Sequence, residues 1–235
     1  VVWCPKDKSP TGDHDRQVGE GVTPEEYTLI KYKLDATTFL PAATFRPETI
    51  YGVTNIWINP DAVYVEANVN GENWIISQEA AEKLKEQKRT VEVKRVFKGK
   101  ELIGKTFENP LTHARFPILP GWFVDSKHAT GVVYSVPAHE PYDWLALKDL
   151  QEKPEVLKDF GVESEIVMAI KPISLIKVDG YGDFPALEIV AAMGIKDQYD
   201  TKAEEATKML YKKEFHGGTL KEICEIYSGK QVNKV

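Results

Sequence analysis

Short runs with a period of two are the dominant pattern of the first part of the chain, and each predicts a strand. Glu26 to Leu34 alternates in part, through Tyr27, Leu29, Lys31 and Lys33. Thr37 to Phe45 is β-prone and broken by Pro41, and Ile50 to Ile58 reads as buried strand. Val63–Val69 and Asn73–Ile76 flank Asn70-Gly71, a dipeptide suited to the positive φ angles of a two-residue hairpin turn. Ser77 is then placed to cap a helix from Gln78 to about Arg89, acidic at its start and basic at its end as the helix dipole favours. Ala80, Ala81 and Leu84 give this helix a narrow apolar stripe, which predicts a surface helix with an exposed basic end.

Val91 to Phe97 alternates again, and Leu102 to Phe123 reads as short strands turning at Gly104, Pro110, Pro117 and Pro120. Gly131 to Val136 is a compact β run closed by Pro137. The pattern then shifts. Pro141 to Gln151 has helical spacing, Ile166 to Val178 is β-prone, and Ala186–Met193, Thr201–Glu214 and Leu220–Ile226 read as helices. Val1 to Thr23 is polar and reads as loop. Regular βαβ alternation is missing, so the prediction is an α+β fold: a β-barrel-like core of short, mostly antiparallel strands with peripheral helices.

Composition narrows the function. The 235 residues are 42% hydrophobic and 28% charged, which excludes a disordered or rod-like chain. A net charge of −6 argues against a general nucleic-acid coat or a polybasic membrane binder, though not against a local basic patch. Cys4 and Cys224 are too few for a disulfide framework, which points to a reducing compartment. No apolar run approaches the ~20 residues of a membrane span. The chain begins with Val and reads as a piece of something larger, cut at a domain boundary.

Phosphate-binding glycine loops, a nucleophile elbow and zinc signatures are all missing. Two stretches remain. Ala43-Thr44-Phe45-Arg46-Pro47-Glu48-Thr49-Ile50-Tyr51-Gly52 sets hydroxyls, an Arg and a Glu around a proline between β segments; by spacing alone it reads as a polar turn between strands. Ala129-Thr130-Gly131 through Ser135-Val136-Pro137-Ala138-His139-Glu140-Pro141-Tyr142-Asp143-Trp144 runs a strand into a corner and a helix. Asp143 falls in the first helical turn, where a carboxylate suits the dipole, and where it could also bind an ammonium group. His139 and Asp143 have metal-ligand spacing, but the prolines between and before them spoil the helix and no third ligand is evident.

Together these stretches resemble the editing domain (connective polypeptide insertion) of class I aminoacyl-tRNA synthetases for branched aliphatic amino acids. The first is similar to the family's threonine-rich motif, and the second to its Gly-Thr-Gly…Pro-Ala-His…Asp motif. Trp3-Cys4-Pro5-Lys6-Asp7, Glu26-Tyr27-Thr28-Leu29-Ile30-Lys31, Met193-Gly194-Ile195-Lys196 and Tyr199-Asp200-Thr201 direct the resemblance to the leucyl type of archaea and eukaryotes. It covers essentially residues 1–235 as a single editing domain whose two ends tether it to a parent synthetase. Ala129 stands where the family often has Gly, and Phe45 where bacterial members have Thr. Arg46-Pro47-Glu48-Thr49 is shared with the valine enzymes, whereas isoleucine enzymes read Thr-Pro-Trp-Thr.

The resemblance implies hydrolysis of the ester of mischarged aminoacyl-tRNA(Leu) with leucyl excluded. Such a second site is needed because one methylene is worth only ~1–3 kcal/mol of discrimination. It further implies that Asp143 binds the α-ammonium and Thr49 excludes leucine. Thr44 and Arg46 hold the terminal adenosine and its ester, and Ser135, Val136 and His139 line the wall. Asp143 and Thr44 are the implied catalytic residues, acting by positioning, with no covalent intermediate. The implied partners are the 3′-terminal adenosine and acceptor end of tRNA(Leu) and the rest of the synthetase in cis. The implied location is cytoplasmic, away from any membrane. Editing needs no cofactor and no metal, while ATP and magnesium serve the parent enzyme, whose His-Ile-Gly-His and Lys-Met-Ser-Lys-Ser stretches do not occur here.

Three alternatives follow from the residues. One is the editing domain of a valyl- or isoleucyl-type enzyme. A second is a non-catalytic module for the tRNA acceptor end, using Lys94, Arg95, Lys98 and Lys100 with Lys85, Lys88 and Arg89. The third is a metal hydrolase using His14, Asp15 and His139.

Overall fold

The computed structural model describes residues 2–12 and 26–235. Nine strands form one mixed sheet: β3 (Thr28–Lys33), β4 (Thr38–Thr44), β5 (Asn55–Ile58), β6 (Val63–Val69), β7 (Glu72–Ser77), β8 (Val91–Lys98), β9 (Thr106–Glu108), β10 (Arg115–Pro120) and β11 (Val133–Ser135). Two-residue strands β1 (Trp3–Cys4) and β2 (Ser9–Pro10) pair ahead of it, so the described start of the chain is a small hairpin rather than plain loop. The order across the sheet is β11-β5-β10-β9-β3-β4-β7-β6-β8. All neighbours are antiparallel except β10 with β5 and β4 with β7.

The sheet curls back on itself. Ser77 N–H, at the end of β7, donates to Thr130 O at 2.9 Å, and Tyr64 Oη on β6 donates to Gly131 O at 2.6 Å. The segment leading into edge strand β11 therefore closes against strands from the far side. One inner apolar cluster results, with members from β3 through β11, among them Tyr32, Leu40, Ile56, Ile58, Tyr64, Ile75, Phe97, Phe107, Ile118 and Tyr134. This barrel-like interior matches the predicted class.

Local chemistry explains the elements that the pattern predicted well. Asn70 and Gly71 take φ of 50° and 94°, so β6 and β7 turn on them. Ser77 Oγ accepts Ala80 N–H at 3.1 Å and starts α1 (Gln78–Glu86). α1 stops short of the predicted end, because Lys88 at φ 60° and the Arg89 N–H bond to Leu84 O close it. Its stripe of Ala80, Ala81 and Leu84 packs on Val65, Ala67 and Trp74, the outer face of the hairpin. Pro41 is tolerated in β4 because pairing with β7 is confined to Thr38 and Phe39.

Three predicted elements are corrected. The start of the predicted Ile50–Ile58 strand belongs to a 3₁₀ helix, Pro47–Gly52, with a proline in its first turn; β5 begins only at Asn55. Ile166–Val178 holds the end of α3 (Ser164–Met168) and only a two-residue strand, β12 (Ile176–Lys177). Its apolar residues pack under helices and not within a sheet, a choice that periodicity alone does not make. Leu220 pairs in β13 (Thr219–Leu220) with β12, and a 3₁₀ helix, Glu222–Tyr227, follows.

α2 (Pro141–Glu152), α4 (Pro185–Ala192) and α5 (Lys202–Gly217) pack on one another through Leu145, Ala186, Ile189, Ala203, Ala206 and Leu210. They stand over the end of the sheet where β4 and β11 finish. Cys4 and Cys224 are free thiols.

Candidate active site

A cavity of about 710 Å³ opens between the end of β4, the strand–corner–helix of β11 and α2, and one face of α5. Thr44, Arg46, Thr49, Val136 and Asp143 all line it, so two motifs roughly ninety residues apart share one wall. Tyr27, Phe45, Phe123, Val133, Tyr134, Glu140, Tyr142 and Tyr211 complete much of the lining.

The corner after β4 is built by its own hydroxyls. Thr44 Oγ1 accepts Arg46 N–H at 2.9 Å, and Thr49 Oγ1 donates to Arg46 O at 2.7 Å. Arg46 sits at φ −126° and ψ 61°, outside the helical region, as the following proline requires. Tyr134 Oη, from β11, lies 2.9 Å from Thr44 Oγ1, 2.8 Å from Thr49 Oγ1 and 3.0 Å from Arg46 O. Burial pushes the Tyr134 phenol up to about 12, so it stays protonated, and its hydroxyl ties the two threonines by donating one hydrogen bond and accepting another.

Asp143 is 2% exposed. Its Oδ1 accepts Trp57 Nε1–H at 2.9 Å and its Oδ2 accepts Val136 N–H at 2.7 Å, leaving each oxygen a further lone pair. Asp143 N–H in turn donates to Glu140 Oε2 at 2.7 Å, which makes Glu140 the N-cap of α2. Burial, with the neighbouring Glu140 charge, holds the Asp143 carboxyl well above its ordinary range. Burial likewise pushes Glu140 up to about 7. The buried Asp143 carboxyl and the half-buried Glu140 carboxyl line one cavity and make a place that favours a positive charge.

Arg46, in the same lining, is clamped. Its Nε–H donates to Glu48 Oε1 at 3.1 Å, its Nη2 to Glu214 Oε2 at 2.7 Å, and its guanidinium stacks 4.5 Å over the Tyr211 ring.

Ser135 and His139 are placed elsewhere than the wall reading put them. Ser135 is fully buried, and its Oγ makes no hydrogen bond. Strand alternation explains this: Tyr134 faces the cavity cluster, so its neighbour faces away. His139 is fully buried behind the wall. Its Nε2 accepts Leu175 N–H at 2.8 Å, so the ring proton sits on Nδ1 and goes to Glu214 Oε1 at 2.6 Å. His139 thus joins the corner to α5 and β12. His14 and Asp15 lie outside the described residues. Among the described residues no group of three or more His, Cys, Asp or Glu side chains is placed to hold a metal ion.

Sequence reasoning missed Tyr134, Glu140, Tyr211 and Glu214. The first two lay inside the quoted motif, unassigned. Glu214 carried one faint signal: an acid in the last turn of a helix opposes the dipole and calls for a compensating cation.

A curled mixed sheet with peripheral helices is also the fold of solved leucyl-tRNA synthetase editing domains. The P. knowlesi cytosolic leucyl-tRNA synthetase editing domain has the same fold, with a TM-score of 0.81 at 20% identity over 89% of this chain and 90% of that one. The P. falciparum cytosolic domain agrees at 0.77 and 19% identity, over 84% of this chain and 73% of that one.

The family "Leucyl-tRNA synthetase, editing domain" matches residues 26–166, and the chain belongs to it; such domains hydrolyse mischarged aminoacyl-tRNA. The leucine–tRNA ligase of Pyrococcus abyssi is 52% identical over all of this chain, and that of Methanothermobacter thermautotrophicus 47%. The chain spans about a quarter of the length of these relatives.

Proposed function

We propose that this chain removes wrongly attached amino acids from tRNA(Leu) by ester hydrolysis, in cis within a leucyl-tRNA synthetase, and spares leucyl-tRNA(Leu). The observation that carries this is that the fixed Asp143 carboxyl and the Thr44–Thr49–Tyr134 hydroxyl cluster line one cavity.

An aminoacyl ester brings one cation, its α-ammonium. Asp143 receives it with lone pairs that the Trp57 and Val136 donors leave open, and neighbouring Glu140 deepens the negative field. Anchoring the ammonium fixes the carbonyl carbon relative to the threonine cluster. Thr44 and Arg46 hold the terminal ribose and its ester. Thr49, buried and locked by two hydrogen bonds, sets the depth of the side-chain space and excludes leucine by shape. Water attacks the ester carbonyl and the ribose oxygen leaves with a proton. Orientation of this kind supplies ~7–11 kcal/mol in well-aligned reactions.

The partners proposed are the 3′-terminal adenosine and acceptor end of tRNA(Leu) and the remainder of the synthetase. Editing takes place without a cofactor, while ATP and magnesium serve the parent enzyme. No helix among the described residues is long and apolar enough to cross a membrane, and the proposed location is cytoplasmic.

The test compares hydrolysis of isoleucyl-tRNA(Leu) and leucyl-tRNA(Leu) by this chain, alone and within a full synthetase, with and without Asp143→Ala. Selective loss of the isoleucyl ester, abolished by the substitution, supports the reading. Turnover that survives in Asp143→Ala removes it.

A further inference from the structure

Helix α5 lies outside the residues matched by the family model, yet three of its side chains reach the cavity wall. Thr207, Tyr211 and Glu214 are spaced four and three apart, so they share one helical face. Thr207 Oγ1 donates to Glu140 Oε1 at 3.0 Å, the Tyr211 ring lies under the Arg46 guanidinium, and Glu214 Oε2 accepts Arg46 Nη2. Glu214 itself is fully buried, and its other oxygen accepts His139 Nδ1–H.

A buried carboxylate is costly unless its partners are fixed, and here every partner belongs to the site or its backing. With Nε and Nη2 committed, Arg46 has one nitrogen, Nη1, without a hydrogen-bond partner. That nitrogen is itself buried in the wall, while the Arg46 side chain as a whole lines the cavity. Its position is set by Glu214, because a guanidinium is planar and two fixed nitrogens fix the third.

We propose that Glu214 is a positioning residue for the hydrolysis, acting through Arg46. It holds the guanidinium in one fixed orientation on the lining of the cavity that takes the ester-bearing end of the tRNA. The inference rests on the hydrolytic reading above for its consequence, though the clamp itself is measurable without turnover.

Two measurements test it. In a double-mutant cycle, Glu214→Gln lowers kcat for isoleucyl-tRNA(Leu) by roughly 10- to 100-fold in the Arg46 background, the size expected for misplacement. In the Arg46→Ala background the same change has an effect within about twofold, because there is nothing left to position. A merely structural glutamate would cost the same in both backgrounds, and that result overturns the proposal. Glu214→Asp keeps the charge on a shorter arm, and it takes the place of Glu214→Gln in both backgrounds should the latter not fold.

The second measurement is ¹⁵N NMR of the arginine side chains. The Arg46 Nη protons resolve as separate, slowly rotating signals in the unmodified chain and merge in the Glu214 variant. Unchanged Arg46 signals in the variant overturn the proposal whatever the turnover shows. Absence of turnover in the unmodified chain, with Arg46 signals that do merge, counts against the hydrolytic reading and leaves the clamp standing.

Discussion

Glu214 and Glu101 each hold an arginine, in two very different regions. Glu101 meets Arg95 of β8 at the surface, where both side chains are about half exposed. Such a pair contributes ~0–1 kcal/mol and is screened by salt. Glu214 meets Arg46 at the cavity wall with no exposure of its own, and shares its carboxylate with His139. A buried ionic cluster of that kind is often less stabilising than apolar side chains of the same volume. The surface pair needs no function to account for it. The buried cluster persists because something must keep the Arg46 guanidinium in place. The same contrast separates Asp143, raised by burial, from surface acids such as Asp183, which Lys221 lowers.

The largest test of this contrast is Asp143→Ala. It removes the acceptor of two buried donors, Trp57 Nε1–H and Val136 N–H, and the anchor for the ammonium. Hydrolysis of isoleucyl-tRNA(Leu) should fall by at least about 10²-fold. Circular dichroism should show the fold retained. Thr49→Ala comes next. Shortening the side chain deepens the space, so hydrolysis of leucyl-tRNA(Leu) should rise roughly tenfold or more, the worth of a methyl-sized discrimination. An unaltered ratio of the two esters would mean that Thr49 does not set the depth.

Acidity sharpens the comparison further. Glu140, at about 7, takes up a proton as pH falls through 7, and Asp143, held well above its ordinary range by burial and by the Glu140 charge, is protonated more readily than a free aspartate. Their protonated forms cannot bind an ammonium, so kcat/KM should fall on the acid side. It should also fall above pH ~8 as the α-amino group loses its proton. Stability follows the opposite trend. Because the folded state binds these protons more tightly than the unfolded chain, the contribution is full below the ordinary carboxylate range. It is lost as pH rises through about 7. Glu140→Gln removes the like charge beside Asp143, so the acid limb should move to lower pH; a fixed limb in the pH–rate profile would sever that coupling.

Two smaller effects mark the other end. Ala129 sits at φ 47°, a conformation unfavourable for a side chain with Cβ, at the position where glycine is frequent in the family it resembles. Ala129→Gly should raise stability by about 0.5–1 kcal/mol, read from denaturant unfolding, with hydrolysis unchanged. Arg95→Ala should change stability by less than about 0.5 kcal/mol at ordinary salt. A larger loss would show that the surface pair is worth more than its exposure allows.

The hairpin of β6 and β7 and the start of α1 were legible because their determinants are local: Asn70-Gly71 fixes the turn, and Ser77 caps the helix it precedes. Part of the cavity wall was legible as well, since Thr44, Arg46, Thr49, Val136 and Asp143 sit in two motifs of distinctive composition. The 3₁₀ turn at Pro47–Gly52 was not, because Ile50 and Tyr51 suit a strand equally and the proline decides only together with the Thr49 bonds to Arg46. Ile166–Val178 failed for a similar reason: apolar residues without period pack under helices as readily as in a sheet.

By itself the amino-acid sequence determined the local turns, the alternation of the strands, and, each as a local feature, the hydroxyl-rich corner and the first-turn aspartate. These depend on residues within a few positions of each other. Only the tertiary structure decided which groups that corner meets. It turned Ser135 away, set His139 behind the wall, and brought Tyr211 and Glu214 from α5 against Arg46, Glu214 across 168 positions. Burial and partnership are properties of the packed chain, and they convert an ordinary helical glutamate into a clamp.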